Sequence, residues 1–392
     1  MDIHNYKRRL ERTLEKVKNS SISKENKKDI FDFHNFCFSS GIGPAKIQRY
    51  LFDLEKLASM LEMDFRECKK RDIQNVLALL EKTEYAFETK RGMKVALKRF
   101  FRWLRNIEEK GMYPDEVRWI TTTNKHLNAK LPEELLTEQD IVNMINSAKN
   151  ERDRAFISVL YESGARITEV LTIKIKCVSF DDLGARIVVF GKTGARRIRL
   201  VSSAVYLQQW LNKHPKKDNP NSDVWIKTNC ERIGYARITD MLQDIADKAD
   251  VKKRVNPHSF RHARATYLAN FLTEAQLKEV FGWTQGSDMA SIYVHLSSRD
   301  TDEAILKVYG KVIKDKSEEK SLLTPRECAR CKTQNEATNK FCKLCGLVLD
   351  QEEANKIIEQ DFKKKNIDDV MERLIDDAEF KKLLLKKLSC IS

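Results

Sequence analysis

A chain of 392 residues, 41% of them apolar, is too long for one core and too apolar for a disordered polymer, so two or three packed domains are expected. Lys and Arg number 72 against 58 Asp and Glu, a formal charge of +14 that points to a polyanionic partner, nucleic acid before an anionic membrane surface. No run reaches the ~20 apolar residues of a membrane span, and the basic stretch Met1 to Ser20 lacks the apolar centre of a signal peptide. Secretion and membrane insertion are therefore not expected.

Residues 1–125 read as almost wholly helical. Leu10, Leu14 and Val17 recur on one face, and Met93, Ala96, Leu97, Phe100, Phe101 and Leu104 keep the period of an amphipathic helix. Gly41, Gly43 and Pro44 mark a turn before Lys46, Arg49 and Tyr50. From Glu88 to Arg105, seven basic residues alternate with Phe100, Phe101 and Trp103. One face is expected in a core, with the other either meeting phosphates or simply solvated.

Residues 119–132 have no period and carry polar breakers, as a linker does. Thr137 with Glu138 and Asp140 has the signature of a helix start, and helical patterns continue to about Gly164. The period then changes. Residues 185–190 and 196–201 read as two strands around Gly191-Lys192-Thr193-Gly194, a hairpin signal. Helices are expected to resume through Tyr309. A charged stretch, 311–320, leads to a cluster of cysteines and a final Lys/Glu/Leu-rich helix.

Three segments carry groups suited to phosphate chemistry. In the first, Gly164-Ala165-Arg166-Ile167-Thr168-Glu169, a bend is followed by an Arg and a Glu three residues apart, where the carboxylate can orient the guanidinium. An Arg–Glu pair at this spacing is more often a surface ion pair. In the second, Asn256-Pro257-His258-Ser259-Phe260-Arg261-His262, a cap residue and a first-turn proline open a helix. His258 and Arg261 then lie one turn apart beside unpaired backbone N–H groups, a place suited to an anion; His262 falls a quarter turn further round and reads as structural. In the third, Phe281-Gly282-Trp283 precedes Tyr293 by ten residues. A lone Trp or Tyr is usually a core or interface residue.

Taken in order, these segments resemble the tyrosine recombinases, the family of phage integrases and Xer-type resolvases. The resemblance covers about residues 132–312. It reaches residues 1–125 only as an expected helical DNA-clamping domain of SAM-like fold. It implies a mainly α protein with a small β-sheet and an α+β catalytic domain. It also implies a site-specific recombinase that works through a 3′-phosphotyrosine, without ATP or catalytic metal. By the same resemblance Tyr293 is the nucleophile, and Arg166 and Arg261 hold the non-bridging phosphate oxygens. His258 transfers a proton or binds the phosphate, Lys192 protonates the leaving 5′ oxygen, Trp283 donates an indole N–H, and Glu169 orients Arg166. Arg196 and Arg197 lie on the same hairpin as Lys192 and compete with it for that role. The implied partners are double-stranded DNA and further copies of the chain, a tetramer on two sites, in the cytoplasm and on the nucleoid. A relaxing topoisomerase with the same chemistry and a silent DNA-binding regulator are the alternatives; the complete residue set argues against the second.

Nine cysteines divide into two sets. Cys37, Cys68, Cys177, Cys230 and Cys390 are scattered, as buried reduced thiols would be. Cys328-x-x-Cys331 and Cys342-x-x-Cys345, ten residues apart, have the spacing of two knuckles around one structural Zn²⁺, with Gly346 relieving the turn after the last. Disulfides and an iron–sulfur centre are the alternatives. The expected order is thus a clamp domain to residue 125, a catalytic domain over 132–312, a zinc ribbon over 325–350 and a helical tail over 351–392. The ribbon is not a general feature of the family, and either DNA contact (through Arg330, Lys332, Lys340 and Lys343) or protein contact suits it.

Overall fold

Six helices make up the N-terminal part of the protein: α1 (Tyr6–Asn19), α2 (Lys24–Ser39), α3 (Pro44–Ala58), α4 (Lys70–Lys82), α5 (Phe87–Leu104) and the short α6 (Asp115–Arg118). The structure, a computed structural model, describes residues 2–109, 111–122, 134–192, 194–296, 309, 321–376 and 378–388, with the backbone alone described for residues 295–296 and seven residues of the C-terminal helices. The chain divides into two compact units, 1–128 and 129–392. Most of the expected linker therefore lies outside the described residues, as do the charged stretch, Cys390 and the chain between Leu296 and Tyr309.

In the first unit the apolar faces meet as their period requires. All six expected positions of α5 are buried, and Phe33, Phe65 and Phe100 pack edge to face with centroids 4.8–5.3 Å apart. Most basic residues of α5 bond to protein groups. Lys90 and Lys94 bind Glu81, Arg91 binds Glu88, and Lys98 donates to the carbonyl of Ile120. Arg102 donates to the carbonyls of Ile107 and Glu108, and Arg105 to Glu116. Apart from Arg91, whose partner is on α5 itself, these cations hold α5 to its neighbours; Arg99 keeps a buried Nε without a partner.

The second unit is built around α8 (Glu151–Ser163), buried on nearly all sides from Ala155 onward. It packs against α7 (Glu138–Ser147), α10 (Ala204–Asn212) and α12 (Pro257–Ala269). Thr137 caps α7 as its sequence predicts, exchanging bonds with Asp140. The short α9 (Ile167–Leu171) follows, then an antiparallel sheet in the order β1-β2-β3. Strands β2 (Gly184–Gly191) and β3 (Gly194–Leu200) are the expected hairpin, with Ile187 opposite Ile198 on the buried face. Strand β1 (Val178–Asp181) escaped the reading because all four residues are partly or fully exposed and carry no alternating pattern.

Residues 213–234 are not helical, against expectation. Pro215 and Pro220 among Asn, Asp and Ser impose turns there, and the segment instead delivers Trp225 to the core beside Phe156. Helices α11 (Tyr235–Lys248), α13 (Glu274–Phe281) and α14 (Met289–Leu296) complete this part. The cysteine segment holds a two-stranded sheet, β4 (Arg326–Glu327) with β5 (Gln334–Asn335), followed by α15 (Gln351–Asp376) and α16 (Ala378–Leu388). Of the scattered cysteines, Cys37 and Cys68 are buried, but Cys177, at the end of a short 3-10 helix, and Cys230, in a bend, are only partly so. Among the described residues no helix is long and apolar enough to cross a membrane.

Candidate active site

The first functional group is set by a chain reversal. Helix α8 ends at Gly164 in the left-handed region (φ 53°), where a Cβ would lie 2.4 Å from the Phe281 ring. Two residues later Arg166 opens α9, and Glu169 reaches back to accept from the Arg166 N–H at 2.8 Å. The same carboxylate accepts from Nη1 of Arg166 at 3.0 Å. It also receives both Nη groups of Arg196, at 3.0 and 2.7 Å, while Nε of Arg196 donates to the carbonyl of Val280. Glu169 is 1% exposed. Burial works against its charge, but the bonds from Arg196, from the Arg166 backbone and from the Arg166 side chain outweigh this and hold it below the ordinary carboxylate range.

Asn256 caps α12 with bonds from the N–H groups of His258 and Ser259, and Pro257 occupies the first turn. That start leaves His258 exposed and turns Arg261 inward, 4% exposed. Arg261 donates from Nη1 to the carbonyl of Gly164 and from Nη2 to that of Phe281, both at 2.8 Å. Its guanidinium lies 5.1 and 5.3 Å from the ring centres of Phe281 and Trp283. Burial, and then the like charge of Arg166, pull its pKa down to about 10. Three guanidinium groups thus face one carboxylate, and two positive charges remain for an anion to neutralise.

Tyr293 comes from α14 and is 4% exposed. Its ring stacks on Trp283 with centroids 5.5 Å apart and planes 5° from parallel, and Trp283 stacks in turn on Phe281. Its hydroxyl is hydrogen-bonded to Nδ1 of His262. Burial pushes the phenol up to about 12, with Arg261 pulling the other way. His258 meets His262 edge to face at 4.2 Å, so the two imidazoles join the phenol to the exposed end of α12.

The structure therefore brings together Arg166, Glu169, Arg261, Trp283 and Tyr293, with His258 one imidazole away from the phenol. Lys192 stands exposed at the hairpin tip, and its neighbour Gly191 lies directly against Glu169. Two further residues belong to the cluster. Arg196 is turned onto Glu169, and His262, read as structural from the sequence, is the partner of Tyr293. The spacing of His258 and His262 by four residues already put both on one helical face; the hairpin marked Arg196 only as a rival of Lys192, and nothing local pointed it at Glu169.

In the cysteine segment the four sulfurs of Cys328, Cys331, Cys342 and Cys345 lie within 4.8 Å of one another. The pairs Cys328–Cys345 and Cys331–Cys342 are 3.5 Å apart, far beyond a disulfide bond of about 2 Å. Tetrahedral thiolates about 2.3 Å from a zinc ion would be separated by roughly 3.8 Å, so the donor set fits that ion. Gly346 (φ 71°) makes the turn expected of it, and Lys332 (φ 59°) takes the same conformation after the first knuckle. Buried Asn335 ties the knuckles together, accepting from the N–H of Lys343 and donating to the carbonyl of Thr333.

Residues 134–299 match the model of the phage integrase family. A tyrosine recombinase of Thermosipho africanus is 26% identical over 272 residues, covering 67% of this chain and 92% of that one. The fold resembles a XerH site-specific recombinase bound to a palindromic difH substrate (TM-score 0.56, 18% identity, 78% of this chain and 95% of that one). It also resembles a lambda integrase tetramer on a Holliday junction (TM-score 0.55, 14% identity, 70% and 78%). The segment that carries the site thus matches the phage integrase, or tyrosine recombinase, family. The protein is accordingly an enzyme, a site-specific recombinase; that family needs no metal for its chemistry.

Proposed function

We propose that this protein cuts and rejoins double-stranded DNA at specific sites through a covalent link to Tyr293. The observation that carries the assignment is the phenol itself, hydrogen-bonded to His262 and lying under the field of Arg261. In the reaction the phenol oxygen attacks phosphorus and its proton passes to His262, with His258 beside it as the outlet. A Tyr–O–P bond forms and the P–O5′ bond breaks. Lys192, at the hairpin tip, gives its proton to the departing 5′ oxygen. Arg166 and Arg261 hold the non-bridging oxygens as charge builds, using donors that remain after each has bonded to the protein. Trp283 fixes the plane of the Tyr293 ring and lines the phosphate site. The phosphotyrosine retains the bond energy, so a second 5′-hydroxyl can reverse the step without ATP.

The lambda integrase tetramer on a Holliday junction supports a tetramer here, acting on two DNA sites. Residues 1–125 would be the helical clamp, 132–312 the catalytic domain, 325–350 a structural zinc ribbon and 351–392 a helical tail, in a cytoplasmic protein held on the nucleoid. The four thiolates would hold one Zn²⁺, which fixes the ribbon's fold. Ser321 and Leu322 tie the start of this segment to Glu138 of α7, which supports a ribbon fixed to the catalytic unit.

The test uses a nicked DNA on which cleavage is irreversible. The unaltered protein is expected to form a covalent adduct, and Tyr293→Phe to bind the same DNA without forming one. An adduct that persists in the variant removes Tyr293 from the role. Strand exchange between two labelled duplexes checks the remainder, because relaxation of supercoils without exchange would make the protein a topoisomerase.

A further inference from the structure

We infer that Arg196 is a positioning residue of the cleavage reaction, acting through Glu169 to set the guanidinium of Arg166 against the phosphate. The inference rests on the assignment of Arg166 to the phosphate. Glu169 does not hold Arg166 as an isolated pair. Its two oxygens each receive one Nη group of Arg196, a planar two-point contact that leaves the carboxylate no freedom to rotate. The third donor of Arg196, Nε, is fixed at 3.1 Å on the carbonyl of Val280. That carbonyl belongs to the turn whose next two residues supply the carbonyl of Phe281 to Arg261 and that of Gly282 to Arg166. Arg196 is thus bonded to both supports of the Arg166–Arg261 pair.

The surroundings are shaped around this side chain. Gly282 sits in the left-handed region (φ 60°), and a Cβ there would come within 2.7 Å of Nη1 of Arg196. A Cβ on Gly191 would lie 2.2 Å from Oε1 of Glu169. Arg196 is only 11% exposed, whereas Arg166 is 35% exposed. One arginine is enclosed to orient, and the other is left open to an incoming anion. A lysine at 196 would keep the charge but offer a point contact in place of the fork, so Glu169 would be free to turn and Arg166 to shift with it. A displacement of about 1 Å in a group that stabilises charge costs on the order of 100-fold in rate.

The experiment measures single-turnover formation of the covalent adduct by Arg196→Lys, Glu169→Gln and the double variant, with thermal unfolding and DNA affinity recorded for each. Arg196→Lys is expected to bind DNA normally, remain folded at the assay temperature and form adduct roughly 100-fold more slowly. Because both residues act on Arg166 through one contact, the double variant should be no slower than the slower single variant. A DNA with sulfur at the 5′-bridging position separates the routes, since a thiolate departs without needing a proton. If Arg196 acted only by seating the tip that carries Lys192, that substrate would restore the rate; the loss is expected to remain. Unimpaired cleavage by Arg196→Lys, multiplicative losses in the double variant, or full recovery on the sulfur substrate would each overturn the inference. Should Arg196→Lys not fold, Arg196→Gln replaces it under the same criteria, and if neither folds Arg196 is a stability residue and the inference falls. Absence of any adduct with the unaltered protein would instead sink the recombinase chemistry itself.

Discussion

Replacing Gly191 by Ala is expected to damage cleavage far more than the addition of one methyl group suggests. Its Cβ would stand 2.2 Å from Oε1 of Glu169, where ordinary contact begins near 3.4 Å, so about 1.2 Å must be found. The carboxylate cannot yield that distance cheaply. It is held by the N–H and Nη1 of Arg166 and by two Nη groups of Arg196, at 2.7–3.0 Å, and a shift of this size would stretch those bonds past useful length. The cheaper response is for the hairpin to move, at an overpacking cost of roughly 1–3 kcal/mol. For a unit of this size that lowers Tm by about 2–4 °C per kcal/mol. Adduct formation should fall on the order of 100-fold, because either Arg166 or the tip bearing Lys192 is displaced. Differential scanning fluorimetry and single-turnover cleavage of nicked DNA measure the two effects. A variant with unchanged Tm and unchanged cleavage would refute the claim that the hairpin is seated on Glu169.

Asp53 gives a pH dependence unrelated to catalysis. Burial raises its carboxyl from 3.8 to about 6 despite the bond from Arg49, so between those values the folded state holds a proton that the unfolded state has released. Stability therefore falls as pH rises from about 4 to 6, by roughly 3 kcal/mol. Urea unfolding across that range should show the slope in the unaltered protein and its loss in Asp53→Asn; equal slopes would reject the assignment. Metal analysis should find one zinc per chain, lost when Cys342 and Cys345 are changed to Ser together with part of the thermal stability. A zinc-free unaltered protein would dispose of the ribbon.

Much of the site was legible in the chain because its parts are local. The cap and proline at 256–257 set where α12 begins, and this alone puts His258 and Arg261 one turn apart. The period of α5 marked its buried face residue by residue, and the knuckle spacing marked the four thiols. What local pattern cannot supply is the partner at long sequence distance. His262 became the partner of Tyr293 only when α14 packed on α12, and Arg196 met Glu169 only when the β2–β3 hairpin packed on α9. The same limit explains the basic face of α5, whose period showed which side was polar but not that six of its cations would be taken up by neighbouring protein groups.

By itself the sequence determined the chemistry at each position: two arginines, a histidine and a tyrosine in an order that fits phosphoryl transfer, and four thiols spaced for one metal. Tertiary structure decided which of those groups face each other. The reason is physical. Helix and hairpin signals come from neighbours within a few residues, whereas the electrostatic environment of Tyr293 and Arg166 is made by groups as far away in the chain as the Gly282 carbonyl, 116 residues beyond Arg166. Those contacts exist only after burial has excluded water and selected one packing.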